Sequence, residues 1–126
     1  MDDAVARMGS LARDYGLDFD GVQRPAHRVG GDFLDLFALD DERLCIVLGD
    51  VSDKGAAAAR IALRLRGALR QNMRRDENPA RALQAMNRQM FNAAEGTQFA
   101  TLALLIWQAD GHVTYVNAGH LPPMVR

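Results

Sequence analysis

The chain has a single cysteine, few aromatic residues and no long apolar run. One cysteine cannot form a disulfide within the chain, and no apolar segment reaches the roughly 20 residues of a membrane-spanning helix. Charge of one sign is also not in excess, because 16 acidic and 15 basic residues leave a net charge of -1. This balance indicates neither a nucleic acid nor a membrane as partner. Without a secretory signal at its start, the chain is expected in the cytoplasm.

The length of 126 residues, 48% of them hydrophobic, predicts one small domain. Residues 1–16 are polar and weakly helical, and we expect them to form a linker or a leading helix. The domain itself is expected over 17–126. Short apolar alternation that stops at a proline predicts a strand at 17–24.

Two apolar runs, DFLDLFAL and RLCIVLGDV, are separated by DDE and predict a β-hairpin. A three-residue loop at 40–42 pairs Leu39 with Arg43, and in that register Asp32 faces Asp50. The even-numbered side chains of the hairpin share a face with both aspartates. Since both faces carry apolar residues, the sheet is expected to be covered on both sides.

The two aspartates are the strongest candidates for a functional site. Opposed side chains in an antiparallel pair are roughly 5 Å apart, so two carboxylates repel unless a cation or a proton lies between them. Oxygen ligands suit magnesium or manganese. We expect Gly31 and Gly49, which precede the aspartates, to leave room for metal-bound water and a phosphate. A structural interpretation stays open, in which Asp50 begins a turn and Asp32 caps a strand.

Two helices are predicted between the first hairpin and a second one. The first spans 55–74 and is expected to bury one apolar face (Ala58, Ile61, Ala62, Leu65 and Leu69). Its arginine row is expected to be a solvated face (Arg66, Arg70 and Arg74). Asn78 and Pro79 begin the second helix, whose inner side is expected to hold four residues (Leu83, Met86, Met90 and Phe91). FATLALLIWQ and HVTYVNAG then form a hairpin around ADG.

Other common catalytic patterns have little support. Ser52 and Asp53 precede a helix, where a capping role is expected. The three histidines (His27, His112 and His120) lack the spacing of a zinc site. Neither a G-x-S-x-G elbow nor a Walker loop is present, and Cys45 lies inside an apolar strand, where we expect it to be part of the core.

Three segments, RPAHRVGGDFLDLF, CIVLGDVSDKGAAAA and FATLALLIWQADGHVTYVNAGHLPP, together resemble the bacterial serine phosphatases of the RsbU and SpoIIE type. These belong to the PPM (type 2C) superfamily, and the resemblance runs from about Leu17 to the end. It implies an α+β fold, a four-layer α-β-β-α sandwich with two manganese or magnesium ions between its sheets. Asp32 and Asp50 match the family's metal-ligating aspartates, and Val51 matches the position that lends a backbone carbonyl.

The resemblance also implies a substrate and a reaction. Family members hydrolyse phosphoserine or phosphothreonine, often on anti-anti-sigma factors of the STAS fold, in the control of sigma factors. Two metal ions activate a bridging water there, so no protein nucleophile is needed. The implied function is therefore a metal-dependent serine/threonine phosphatase in bacterial signalling.

The chain departs from the family pattern at its end. Members continue into a TDG motif and a later aspartate that supply metal ligands, whereas no acidic residue follows Asp110 here. We therefore expect the N-terminal part of a PPM domain, or alternatively a non-catalytic module that binds partners through the same scaffold. Open sheet edges also predict a homodimer formed by strand pairing or swapping. A third possibility takes GGDF as a relic of the diguanylate cyclase signature, but that signature needs another acidic residue before Phe33.

Overall fold

The computed structural model describes residues 3–24, 30–93 and 98–126. Its described part is α+β, with three helices and four strands joined in one antiparallel sheet of order β1-β2-β3-β4. No helix in these three ranges is long and apolar enough to cross a membrane. The elements follow the chain as α1 (Asp3–Asp14), β1 (Phe33–Ala38), β2 (Arg43–Val51), α2 (Gly55–Arg75), α3 (Pro79–Ala93), β3 (Ala100–Gln108) and β4 (Val113–Ala118).

The first hairpin has the predicted register. Phe33 pairs with Gly49, and the Leu39 amide donates to the Arg43 carbonyl at 2.9 Å, which closes the turn. Inside the turn, the Asp40 carboxylate accepts hydrogen bonds from the amides of Glu42 and Arg43. A polar side chain thus satisfies the backbone donors that the tight loop leaves open.

The second hairpin also turns at the predicted ADG segment. The Gln108 amide donates to the His112 carbonyl at 2.9 Å. Gly111 has a φ of 92°, a left-handed conformation that favours glycine. β3 pairs with β2 on its other side, so the two hairpins form one continuous sheet.

The odd-numbered face of the first hairpin packs on α2 and α3. Helix α2 buries Ala58, Ala62, Leu65 and Leu69 and partly buries Ile61, as predicted from their spacing. From the sheet, this core takes Phe33, Phe37, Cys45, Val47, Val51, Leu102, Leu104 and Ile106. It is the larger of the two hydrophobic clusters and fixes the helical pair against the sheet.

Helix α3 begins as predicted and differs at its end. The Asn78 side chain accepts a hydrogen bond from the Ala80 amide at 3.0 Å, so it caps the helix. Met86 is buried and Met90 is partly buried. The prediction for Phe91 was wrong, because its side chain is 81% exposed. It follows Met90 directly, which turns it about 100° away from the inner face.

The opposite sheet face is covered at one end only. Helix α1 places Ala12 against Leu36 and Leu44 in a smaller cluster, and the Trp107 indole donates to the Tyr15 carbonyl at 3.2 Å. Towards the aspartates the cover ends. The expectation that both faces are covered therefore holds near α1 and fails near Leu48, which is 45% exposed.

The strand predicted at 17–24 is wrong. This segment has no strand hydrogen bonding and runs as a loop. Leu17 and Phe19 pack beside the smaller cluster while the residues between them face solvent. The alternation that suggested a strand is therefore a burial pattern without a pairing partner in the described sheet.

Candidate metal centre

The open end of the first hairpin brings Asp32 and Asp50 together. Beyond the Phe33–Gly49 pair, the Val51 amide donates to the Gly31 carbonyl at 3.1 Å, which extends the pairing past both aspartates. Asp32 and Asp50 thus occupy a position without mutual backbone hydrogen bonds, where opposed Cα atoms are only about 4.5 Å apart. The predicted juxtaposition of the two side chains is confirmed.

The two carboxyl groups interact strongly. A hydrogen bond with the Asp32 side chain is the main cause that raises the pKa of Asp50, followed by partial burial and by the negative charge of Asp32. Positive charge on His120 acts in the opposite direction. Two carboxyl groups can share a hydrogen bond only when one of them holds a proton. When both are ionised, two negative charges lie side by side, and a cation between them would neutralise the repulsion.

Both aspartates are open to solvent but sit on fixed backbone. Both are exposed residues, so a small ligand can reach their oxygens. The main-chain carbonyl of Asp32 accepts a hydrogen bond from the side-chain amide Nε2 of Gln23 at 2.6 Å. The loop before the hairpin thereby holds the strand at the position where the candidate site begins.

The two glycines beside the aspartates have a packing role. A Cβ added at Gly49 would lie 2.3 Å from the Phe33 ring, and one at Gly31 would lie 2.7 Å from the Val51 carbonyl oxygen. Both clashes are with packed protein atoms. Close packing within the hairpin thus requires both glycines, and their role in leaving room for metal-bound water and a phosphate stays a prediction.

The remaining predicted ligand, Val51, ends strand β2. Its side chain is buried in the core, and its carbonyl oxygen is close to Gly31. Within the described ranges, no three acidic, histidine or cysteine side chains come close enough together to hold a metal ion. The two carboxylates therefore fit part of the oxygen shell of magnesium or manganese, which needs about six ligands. The metal role of all three residues stays a prediction.

Two residues beside the pair were not found from the sequence. Thr101 on β3 pairs with Asp50, and its hydroxyl lies 2.8 Å from Nδ1 of His120. Their proximity depends on the pairing of β2 with β3, which are separated by two helices. The sequence shows the NAGH segment but does not show which strands it lies next to in the folded chain.

The capping role expected of Ser52 and Asp53 was wrong. Lys54 is the residue that precedes α2, and it makes no side-chain capping bond. Asp53 instead accepts hydrogen bonds from the Lys54 amide at 2.8 Å and from the Gln98 side chain at 2.7 Å. These bonds hold the pKa of Asp53 below its usual value. Ser52 and Phe99 bond each other through two contacts, so this loop joins the ends of β2 and β3.

The arginine row on α2 also differs from the expectation of a solvated face. Arg70 donates to both carboxylate oxygens of Asp35, at 2.9 and 2.7 Å, and Arg66 lies 3.5 Å from the same group. Asp35 is fully buried. The ion pair was missed because it joins a strand to a helix 35 residues later.

The other candidates have outcomes of their own. Cys45 is buried, and burial raises the pKa of its thiol to about 12, so its predicted place in the core is confirmed. His112 lies 3.0 Å from the Asp110 carboxylate at the far end of β4 from His120. His27 lies outside the described residues.

Comparison with known proteins assigns this arrangement to a family. Residues 40–126, more than half of the chain, match the family model described as Stage II sporulation protein E (SpoIIE). The protein IcfG of Synechocystis sp. is 33% identical over 82% of this chain and 21% of its own length. The phosphoserine phosphatase RsbU of Bacillus subtilis is 28% identical over 89% of this chain and 33% of its own length. The chain thus spans a third or less of these curated relatives.

Solved structures agree with this assignment. The RsbU and RsbW domains of Rv1364c from Mycobacterium tuberculosis match with a TM-score of 0.66 and 33% identity, over 79% of this chain and 28% of that one. The PP2C phosphatase domain of SpoIIE from Bacillus subtilis shares the fold, with a TM-score of 0.55 and 19% identity over 76% of this chain and 34% of that one. The chain belongs to the Stage II sporulation protein E (SpoIIE) family and has part of the RsbU/SpoIIE type of PPM phosphatase domain.

Proposed function

We propose that this chain contributes metal ligands to a serine/threonine protein phosphatase in bacterial signalling. The observation that carries the proposal is the facing of Asp32 and Asp50 at the open end of a hairpin, in a member of this family. The effect of Asp32 in raising the pKa of Asp50 supports a site that a cation would stabilise. The relative RsbU, a phosphoserine phosphatase by name, supports the chemistry.

Three residues of the chain would act as metal ligands. Asp32 and Asp50 would hold manganese or magnesium, and the backbone carbonyl of Val51 would add a third oxygen. A metal ion bound there supplies an activated water for attack on phosphorus. Cys45, the one thiol, is buried in the core and cannot act as a nucleophile on a protein substrate.

The substrate we propose is a phosphorylated anti-anti-sigma regulator of the STAS type, in the cytoplasm. Two relatives support a phosphorylated protein as partner. RsbU is a phosphoserine phosphatase by name, and a solved neighbour combines RsbU and RsbW domains in a single protein. The near-neutral charge of the chain is compatible with a protein partner.

A second candidate function is a partner-binding module without catalysis. It is favoured by the ligand set, because the described residues gather only two carboxylates at this site and no group of three. The same sheet face also exposes Leu48, Val113 and Tyr115 by 45%, 49% and 41%. Exposed apolar residues on one face are typical of an interaction surface, and a second copy of the chain would also fit it.

Hydrolysis of an aryl phosphate and of a phosphoserine peptide, with and without manganese, tests the two candidates. We expect manganese-dependent turnover that is lost in Asp32→Asn and in Asp50→Asn. Asp110→Asn is the matched control, because Asp110 lies at the other end of the sheet beside His112. Absence of turnover together with tight binding of a STAS-type partner in EDTA would favour the second candidate.

A further inference from the structure

The segment that follows β4 fixes the backbone of His120 on both sides. Asn117 Oδ1 accepts a hydrogen bond from the His120 amide at 2.7 Å, and Asn117 Nδ2 donates to the His120 carbonyl at 2.8 Å. Between them, Gly119 has a φ of 73°, which a residue with a side chain rarely adopts. One asparagine thus holds both main-chain groups of the histidine in a turn that depends on glycine.

The imidazole ring of His120 has a separate anchor. Its Nδ1 lies 2.8 Å from the hydroxyl of Thr101, the residue that pairs with Asp50 across the sheet. Backbone and ring are therefore fixed independently, next to the carboxylate pair. A histidine that only faces solvent needs neither anchor.

The second ring nitrogen of His120 is available for a ligand. Within the described part of the chain, Nε2 makes no hydrogen bond, whereas Nδ1 is taken by Thr101. When the threonine hydroxyl donates to Nδ1, the ring proton must reside on Nε2. Nε2 then becomes a directed donor in a site whose other side chains, Asp32 and Asp50, offer only acceptors when both are ionised.

We propose that His120 is a phosphate-binding residue whose Nε2–H donates a hydrogen bond to a phosphoryl oxygen of the substrate. This inference rests on the proposed phosphatase function and adds a substrate contact to it. Two carboxylates repel a phosphate, so a metal-bound phosphate beside them needs a hydrogen-bond donor from another segment of the chain. Thr101 and the NAGH turn place His120 at that position.

Substitution by glutamine and by asparagine separates this role from a structural one. A glutamine amide reaches about as far as Nε2, whereas an asparagine amide reaches about as far as Nδ1. His120→Gln therefore keeps a donor for phosphate and loses the Thr101 contact, and His120→Asn does the reverse. His112→Gln is the control, because His112 lies at the opposite end of β4.

The measurement is the affinity of the chain for inorganic phosphate in the presence of magnesium. It is followed by the ring ¹⁵N signals of the three histidines and by calorimetry. We expect phosphate to shift the Nε2 signal of His120 and not that of His112. His120→Asn should bind phosphate about tenfold more weakly than wild type, and His120→Gln should keep most of the affinity.

Magnesium titration without phosphate separates the phosphate-binding role of His120 from the metal site of the proposed phosphatase. Normal magnesium binding with phosphate affinity unchanged in His120→Asn would overturn the role of His120 and leave the phosphatase proposal standing. A larger loss in His120→Gln than in His120→Asn, or no phosphate binding by wild type, would also overturn it. Phosphate binding that depends on His120 without any magnesium binding would support the donor role and contradict the metal centre.

Discussion

Two aspartates only three residues apart on the first hairpin occupy opposite environments. Asp35 faces α2, is fully buried and bonds Arg70 through both carboxylate oxygens. Asp32 lies on the other face, is exposed, and has Asp50 as its charged neighbour. The sheet thus separates a carboxylate whose charge is already matched from a pair whose charge is not.

The pKa shifts have opposite directions for the same reason. Burial alone would raise the pKa of Asp35, but the hydrogen bond from Arg70 and the charges of Arg70 and Arg66 outweigh it and lower the value. At Asp50 the hydrogen bond and charge of Asp32 add to burial, and the pKa rises. Arginine side chains already match the charge of Asp35, whereas the Asp32–Asp50 pair remains available for a metal cation.

The largest expected effect on stability is on the matched side, the face of the sheet where Asp35 bonds Arg70. Asp35→Ala should lower the free energy of unfolding by about 3 kcal/mol, because it leaves Arg70 and Arg66 without their buried partner. The cost falls below that of a fully buried pair since both arginines reach solvent. Urea denaturation measures it.

Arg74→Ala is the matched control for that substitution, since Arg74 lies one turn after Arg70 and is exposed. Its effect should stay within about 0.5 kcal/mol. Equal losses in the two variants would show that the Asp35 ion pair does not distinguish this face of the sheet.

Packing on the matched side should also be less tolerant of added volume. Gly49→Ala places a Cβ against the Phe33 ring and Leu102, and should cost about 2 kcal/mol of unfolding free energy. Gly67→Ala is the control, because Gly67 lies on α2 with no neighbouring atom near its missing Cβ. It should stabilise the chain by about 0.5 kcal/mol. A neutral Gly49→Ala would contradict the packing explanation for this glycine.

Acid should remove the contribution of Asp35. A carboxylate with a lowered folded-state pKa stabilises fully above its unfolded pKa, about 3.9, and loses that contribution as the pH falls through the folded value. The stability difference between wild type and Asp35→Asn should therefore shrink from pH 6 to pH 3. Asp76→Asn, at an exposed pair with Arg81, gives the surface reference. A constant difference over this range would argue against an ionised Asp35.

The smallest expected effect on stability is on the unmatched side, the face of the sheet that carries Asp32 and Asp50. Without metal, Asp50→Asn should leave stability unchanged or raise it by up to about 0.5 kcal/mol, because it removes a repulsion between two exposed groups. The gain should be present at pH 7 and fade as the pH falls through the raised pKa of Asp50, where protonation relieves the same repulsion. Thermal unfolding at pH 7 and pH 4 measures it. A clear loss of stability would mean that Asp50 already has a favourable partner.

Local sequence features predict the parts of the fold that depend on local geometry. The three-residue loop at 40–42 set the register that brings Asp32 to Asp50, and Asn78 with Pro79 set the start of α3. These are consequences of turn and capping geometry over a few residues. They were enough to predict that Asp32 and Asp50 face each other, but not which residues surround the pair.

The errors arise where packing joins distant segments. The Asp35–Arg70 pair depends on how α2 docks on β1, and the place of His120 depends on pairing of β2 with β3. The alternation at 17–24 is real, but side-chain burial produces it without strand pairing. Apolar patterns indicate which side chains are buried, and they do not specify the partner.

The most direct test of the account is titration of manganese and magnesium into the full chain by calorimetry, with wild type, Asp32→Asn, Asp50→Asn and Asp110→Asn. The account predicts binding by wild type and by Asp110→Asn, and a loss of affinity of at least about tenfold in each of the other two. Equal cation affinity in all four proteins, or no binding by wild type, would contradict a metal site at Asp32 and Asp50.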